Sequence, residues 1–259
     1  MARRLGQHFL ARPSILQRIA QAACGEQTPL AIEIGPGKGA LTGPLLERTR
    51  KLVAIEVDPY LVHYLRQKFA AAIDTGRFEL IEGDVLKTDL AAWGRAVIAG
   101  NLPYYITSPI LERVLALGGS WKRAVFLVQA EVAARMAAPP GSRDYGYLSV
   151  LTQIFSRPEI LFDVPRAAFR PPPQVDSAVI RLEPRGAAAE LSLPDEAAFL
   201  RFASACFRQK RKTLRNNLAP LYGRERLDSL EEGRRRAEQL SVAELAALYH
   251  KLEARCPTA

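Results

Sequence analysis

Leu30-Ala31-Ile32-Glu33-Ile34-Gly35-Pro36-Gly37-Lys38-Gly39 is a short apolar run that stops in three alternate glycines. Leu30 to Ile34 reads as a buried strand. Glycines at its end let the backbone approach a ligand closely at a helix N-terminus, and Ala40 to Arg48 reads as that helix. The spacing is G-x-G-x-G, not the dinucleotide G-x-G-x-x-G, and no Walker lysine is present. A tight strand–helix turn with no ligand would contain the same residues, so the turn alone names no function.

The same rhythm repeats outward from this run. Leu52 to Val57 reads as a second strand, followed by Pro59 at a helix start and Leu61, Leu65 and Phe69 at i, i+4 and i+8. Phe78 to Ile81 is a third strand ending at Gly83-Asp84, and Ala96 to Ala99 a fourth. Ala124 to Val128 is a fifth, ahead of a helix through Glu131 to Met136. Strands alternating with helices predict an α/β fold with a parallel, doubly wound sheet, whose chemistry lies at the carboxyl ends of the strands. Pro171-Pro172-Pro173 is a stiff extended lead into a last strand of alternating pattern, Val175 to Leu182. Residues 183–193 read as a linker and the remainder as helical. Ser241-Val242-Ala243-Glu244 has capping-box spacing ahead of Leu245, Leu248 and Leu252. The expected domains are 1–185, with an N-terminal arm, and 186–259.

Three strand ends offer groups that suit one ligand. Glu56, 21 residues after Gly35, can accept both hydroxyls of a ribose. Asp84 is placed to accept from an adenine amino group. Each carboxylate alone reads as solvated surface; glycines, Glu56 and Asp84 in order point to an adenosine-bearing cofactor. After the fourth strand comes Asn101-Leu102-Pro103-Tyr104. An exocyclic amine is a poor nucleophile, and its methylation needs two acceptors for its N–H groups, an aromatic face and a methyl donor held in line. Asn101 offers a side-chain carbonyl, Leu102 a backbone carbonyl and Tyr104 the face. Pro103 pushes Leu102 toward an extended conformation that can turn its carbonyl into the site.

The whole chain of 259 residues carries 36 basic and 27 acidic side chains, a net charge of +9. That balance favours a polyanionic partner, although a merely basic enzyme has the same balance. Cys24, Cys206 and Cys256 are scattered without C-x-x-C spacing, so neither a disulfide framework nor a metal site is expected. The arginines near the start precede no long apolar segment, and no run approaches a membrane span, so a cytoplasmic protein is expected. Between Ala197 and Arg224 there are seven basic and no acidic residues. A helix continued through Arg215 would set Arg201, Arg208, Lys212 and Arg215 on one face, opposite Phe199, Phe202 and Cys206. Such a stripe, with Lys210 and Arg211 beside it, suits phosphate contacts. Asn216 and Asn217 either add polar contacts or end the helix.

Over nearly its whole length the chain resembles the small-subunit ribosomal RNA adenine N6,N6-dimethyltransferase family. The resemblance rests on Leu5-Gly6-Gln7-His8-Phe9-Leu10, the Glu33–Thr42 glycine motif, Glu56-Val57-Asp58, Gly83-Asp84-Val85-Leu86 and Asn101-Leu102-Pro103-Tyr104. It extends through Gln129–Arg135, Phe169–Val179 and Phe207–Leu218. It implies a Rossmann-like class I methyltransferase sheet with a small all-helical C-terminal domain, and S-adenosyl-L-methionine as donor without metal. By the same resemblance His8 and Leu10 close over the cofactor, and Gly35, Gly37, Glu56, Asp84, Val85 and Asn101 hold it. Asn101, Leu102, Pro103 and Tyr104 bind the target amine, and Phe169 supplies a second aromatic face. Without the family, Phe169 reads as a plug in a hydrophobic seam. The implied partner is small-subunit, 16S-type rRNA bound by a monomer, with two adjacent adenosines dimethylated late in subunit biogenesis. The related macrolide-resistance methyltransferases of the large subunit, and an RNA-binding assembly or transcription factor built on this fold, are the alternatives.

Overall fold

The computed structural model describes residues 8–186 and 190–253. Arg3, Arg4, Leu5 to Gln7, Cys256 and positions 187–189 of the expected linker lie outside them. The strands are β1 (Phe9–Leu10), β2 (Thr28–Ile34), β3 (Thr49–Glu56), β4 (Phe78–Glu82), β5 (Ala96–Asn101), β6 (Trp121–Gln129), β7 (Ser156–Val164), β8 (Phe169–Arg170) and β9 (Ser177–Pro184). Seven of them form one sheet in the order β4-β3-β2-β5-β6-β9-β7.

β4, β3, β2, β5 and β6 pair in parallel, while β9 runs antiparallel to β6. The expected parallel, doubly wound sheet is thus present, and β9 adds an antiparallel strand to one side of it. Ser177 to Ile180 of β9 are all buried, so the alternating exposure expected of that strand is absent, because β9 lies inside the sheet between β6 and β7. The edge strand β7, with Arg157, Glu159 and Asp163 among its residues, gave no apolar run to read. β1 and β8 form a separate antiparallel pair.

Chain order reverses at β2, whose neighbours β3 and β5 lie on opposite sides, so a crevice opens at the carboxyl ends of β2 and β5. Helix Pro13–Ala23 starts on a proline and buries Leu16, Ile19, Ala20 and Ala23, one helical stripe. These join Ala31, Leu52, Val97, Val125 and Val179 in one core.

The described chain packs as two units, one with residues up to Ala133 plus Arg157–Pro184, the other with Ala134–Ser156 plus Arg185 onward. The second unit thus takes in a segment that the sequence reading assigned to 1–185. The reason is packing: Tyr145, Val150 and Ile154 are buried with Phe199, Leu214, Leu245 and Leu248. The linker reading of 183–193 narrows too, since β9 runs to Pro184 and Leu193 is already in this core. Among the described residues, no helix is long and apolar enough to cross a membrane.

Candidate active site

The end of β2 turns sharply through Gly35, Gly37 and Gly39, all at positive φ, which L side chains adopt at a cost. Gly39 has a second constraint: a Cβ there would lie 2.5 Å from Phe69 Cε2 and 2.8 Å from Leu65 Cδ2. At the neighbouring strand end, a Cβ on Gly100 would lie 2.6 Å from the Ile34 carbonyl. β5 therefore presses directly onto β2 just before Asn101, and this close approach sets where Asn101 projects.

A single cavity is lined by Gly35, Gly37, Glu56, Asp84, Val85, Asn101, Leu102, Pro103, Tyr104, His8 and Leu10. Most of the residues singled out in the sequence are thus brought together. Glu56 is buried, and its carboxylate already accepts Gly37 N–H on Oε2 and Val57 and Asp58 N–H on Oε1, each at 3.0 Å. A carboxylate offers about four acceptor directions, so one direction of Oε2 remains for a ligand hydroxyl, not two. Asp84, which lines the cavity, accepts Leu86 N–H on Oδ1 at 2.9 Å, and Oδ2 has no partner among the described residues.

Asn101 is oriented by the arm: its amide Nδ2 donates to His8 O at 3.1 Å. Its Oδ1 then remains an acceptor, beside Leu102 O, which accepts no hydrogen bond among the described residues. Tyr104 shares a 2.8 Å hydrogen bond with Ser177 Oγ, and burial raises its pKa. The arm is tied down at several points. Phe9 pairs with Arg170 and Leu10 with Phe169. Ala11 N–H donates to Ala168 O at 2.8 Å, and His8 Nδ1–H donates to Pro171 O at 2.9 Å. The His8 ring stacks on Tyr104 with centroids 5.9 Å apart.

Phe169 is not part of the cavity. Its side chain is fully buried in the core with Leu10, Leu16 and Ile19, so the second stacking face expected of it is corrected to the hydrophobic plug. Backbone pairing to Leu10 points that ring into the sheet's own packing.

Two cavity residues, Glu33 and Tyr105, and Ser177 behind Tyr104 have no role assigned from sequence. Glu33 is 1% exposed, accepts Thr42 Oγ–H at 2.7 Å, and is pushed up to about 8 by burial, with the Glu56 charge adding to it. The signal available was a carboxylate inside an apolar strand next to the glycine turn. Tyr105 is exposed yet lines the cavity, its phenol raised by burial and by the Glu56 and Asp84 charges. Ser177, anchor of Tyr104, gave no signal at sequence level. Among the described residues no cluster of three or more His, Cys, Asp or Glu is arranged to hold a metal.

The basic segment departs from its expected shape. The helix ends at Cys206 and a new one begins at Leu214, so the single stripe through Arg215 does not form. Asn217 explains the break: its amide donates to Cys206 O at 2.7 Å and Gln209 O at 3.2 Å, capping the first helix from the second. Phe199, Phe202 and Cys206 are buried as expected. Arg215 pairs with Asp228 at 2.7 Å and Lys210 lies 4.0 Å from Glu238. Arg208, Arg211 and Lys212 make no ion pair among the described residues and sit on the exposed turn between helices. Arg235 and Arg236 are engaged by Glu244 and Glu238.

A family model described as ribosomal RNA adenine dimethylase matches residues 1–253. The ribosomal RNA small subunit methyltransferase A of Acidobacterium capsulatum is 43% identical, across 97% of this chain and 91% of its own. That of Xanthomonas campestris pv. campestris is 44% identical, across 94% and 93%. Among solved structures, a dimethyladenosine transferase from Plasmodium falciparum superposes with a TM-score of 0.77 at 26% identity, covering 95% of this chain and 98% of that one. The 23S rRNA methyltransferase ErmE gives 0.69 at 27% identity, covering 95% and 99%.

Proposed function

The chain belongs to the ribosomal RNA adenine dimethylase family, and from this we propose that it converts two adjacent adenosines of small-subunit, 16S-type rRNA to N6,N6-dimethyladenosine. The methyl donor is S-adenosylmethionine and the place is the cytoplasm, late in subunit assembly. The observation that carries the reading is Asn101. Its amide nitrogen donates to His8 O, so Oδ1 is left with Leu102 O as a pair of acceptors on a cavity that Glu56 and Asp84 also line. The higher identity to small-subunit enzymes than to ErmE favours the small subunit over the large.

The residues fit an adenosine-bearing donor. Gly35 leaves open space at the turn while Gly37 makes room for the Phe9 ring, the open Oε2 direction of Glu56 suits a ribose hydroxyl, and Asp84 Oδ2 with Val85 suits an adenine edge. When bound, the donor supplies a methyl group on a sulfonium. The chain's own residues supply position. Asn101 Oδ1 and Leu102 O accept the two amine hydrogens and aim the nitrogen lone pair. Tyr104, steadied by Ser177, offers its face to the ring, and Pro103 holds Leu102 extended. After one transfer a single N–H remains, so one acceptor suffices for the second.

The test is transfer of labelled methyl to small subunits lacking adenine dimethylation, beside large-subunit rRNA and DNA, with nucleoside analysis. Dimethyladenosine confined to small subunits is expected; label in large-subunit rRNA, or none anywhere, overturns the reading.

A further inference from the structure

The second unit carries a groove that the methyl-transfer chemistry does not use, formed where helix Glu196–Cys206 meets helix Leu214–Tyr222. Arg201, Ser204, Arg208, Asn217, Pro220 and Leu221 line it. Asn217 is 6% exposed and forms the floor. Its amide nitrogen is committed to two carbonyls, Cys206 O and Gln209 O. Two acceptors can be met only by the NH2 end, so the orientation of the amide is decided by the network. Asn217 Oδ1, which accepts no hydrogen bond among the described residues, is therefore the end left for the groove. On the walls stand two exposed guanidinium groups and the Ser204 hydroxyl. Arg201 holds only a loose, exposed 3.8 Å pair with Asp195, which a ligand displaces at little cost. Leu221, 63% exposed, and Pro220 make an apolar rim.

We infer that this groove is a ribose–phosphate site that reads the 2′-hydroxyl of RNA. The chemistry of the walls requires an anion for Arg201 and Arg208. The floor requires a hydrogen-bond donor, because a phosphate oxygen has no proton to give Asn217 Oδ1. A 2′-hydroxyl beside its own 3′-phosphate carries both within one nucleotide, and DNA lacks the donor. Leu221 and Pro220 then pack on the sugar. The inference rests on rRNA as substrate, and adds that the second unit tells RNA from DNA rather than counting phosphates alone.

The test uses the full chain and three labelled twelve-nucleotide strands of one sequence: RNA, 2′-O-methyl RNA and DNA. Fluorescence polarisation should show RNA bound about five-fold more tightly than the other two, the worth of one hydrogen bond. The exposed substitutions Arg208→Ala with Leu221→Ser should bring that ratio close to one. Ser204→Phe, which fills the groove from an exposed position, should do the same with an unchanged melting temperature. Equal binding of all three strands by the parent chain, or an RNA preference that survives both variants, overturns the site. Because methyl transfer to subunits is a separate measurement, failure of the groove leaves the enzyme reading standing, and the reverse holds as well.

Discussion

Glu33 sits where a charge is hardest to keep. It is buried beside the glycine turn with one hydroxyl donor and the Glu56 charge nearby, and its carboxyl is pushed up to about 8 from an ordinary 4.5. At neutral pH it is held protonated. Below pH 4.5 both folded and unfolded chains carry the proton, so the group is silent. As pH rises from 4.5 to about 8, only the unfolded chain releases it, so stability falls through that window. Glu33→Gln keeps an acceptor for Thr42 and removes the titration. Its stability relative to the parent should therefore rise with pH across the same window, by an amount on the order of a few kcal/mol. Denaturant unfolding at several pH values reads this directly, and parallel curves for parent and variant would contradict it. Gly100 gives a second expectation at this scale. With the Ile34 carbonyl 2.6 Å from where its Cβ would stand, Gly100→Ala must part β2 from β5 at their ends. A loss of about 1–3 kcal/mol in thermal unfolding is expected, with a steeper loss of methyl transfer because Asn101 moves with the strand.

Single elements differ in how openly the sequence displays them. Inner parallel strands buried on both faces are apolar runs, and β2, β3, β5 and β6, with the shorter edge strand β4, fall within a few residues of their expected bounds. The Ser241–Glu244 capping box forms as its spacing predicts, with Ser241 N–H donating to Glu244 Oε2 at 2.8 Å and Glu244 N–H to Ser241 Oγ at 3.2 Å. Those bonds, led by the Ser241 backbone and then Arg235, bring the exposed Glu244 down to about 2. Its contribution is complete above pH 4.5 and is lost as pH falls toward about 2. Glu244→Ala should cost about 0.5–1 kcal/mol at neutral pH, given solvent screening, and the gap should close in acid. A constant gap across the acid range would sink this assignment. The basic segment departs from its expected single helix because helix periodicity says nothing of where a helix stops. The stop is written in Asn217, eleven residues beyond Cys206, which no local pattern ties to that carbonyl. Phe169 departs from its expected place for a related reason: whether it faces a cavity or a core is settled where it pairs with Leu10, a partner far away in the chain.

At the scale of the whole molecule, the glycine turn, Glu56, Asp84 and Asn101 were legible because each ends a strand whose identity is plain. Glu33, Tyr105 and Ser177 were not, because their roles come from neighbours that only the folded sheet supplies. The division of the chain was half legible. The break after Pro184 follows the composition, while the departure of Ala134–Ser156 to the second unit depends on which core receives Tyr145, Val150 and Ile154. A chain stopped after Arg185 should consequently expose these apolar groups and aggregate. Light scattering of the fragment beside the full chain checks it, and a soluble fragment with full cofactor affinity would refute it.

That interleaving has a consequence for how the molecule is made. During synthesis Ala134–Ser156 emerges about a hundred residues ahead of Val242–Glu253, a helix of the same core. At about 5–20 residues per second the wait is roughly 5–20 s. For that interval Tyr145, Val150 and Ile154 belong to a core whose other residues are not yet all made. A newly made copy should therefore be bound by chaperones that take apolar segments, and its yield should fall when translation slows downstream of Pro184.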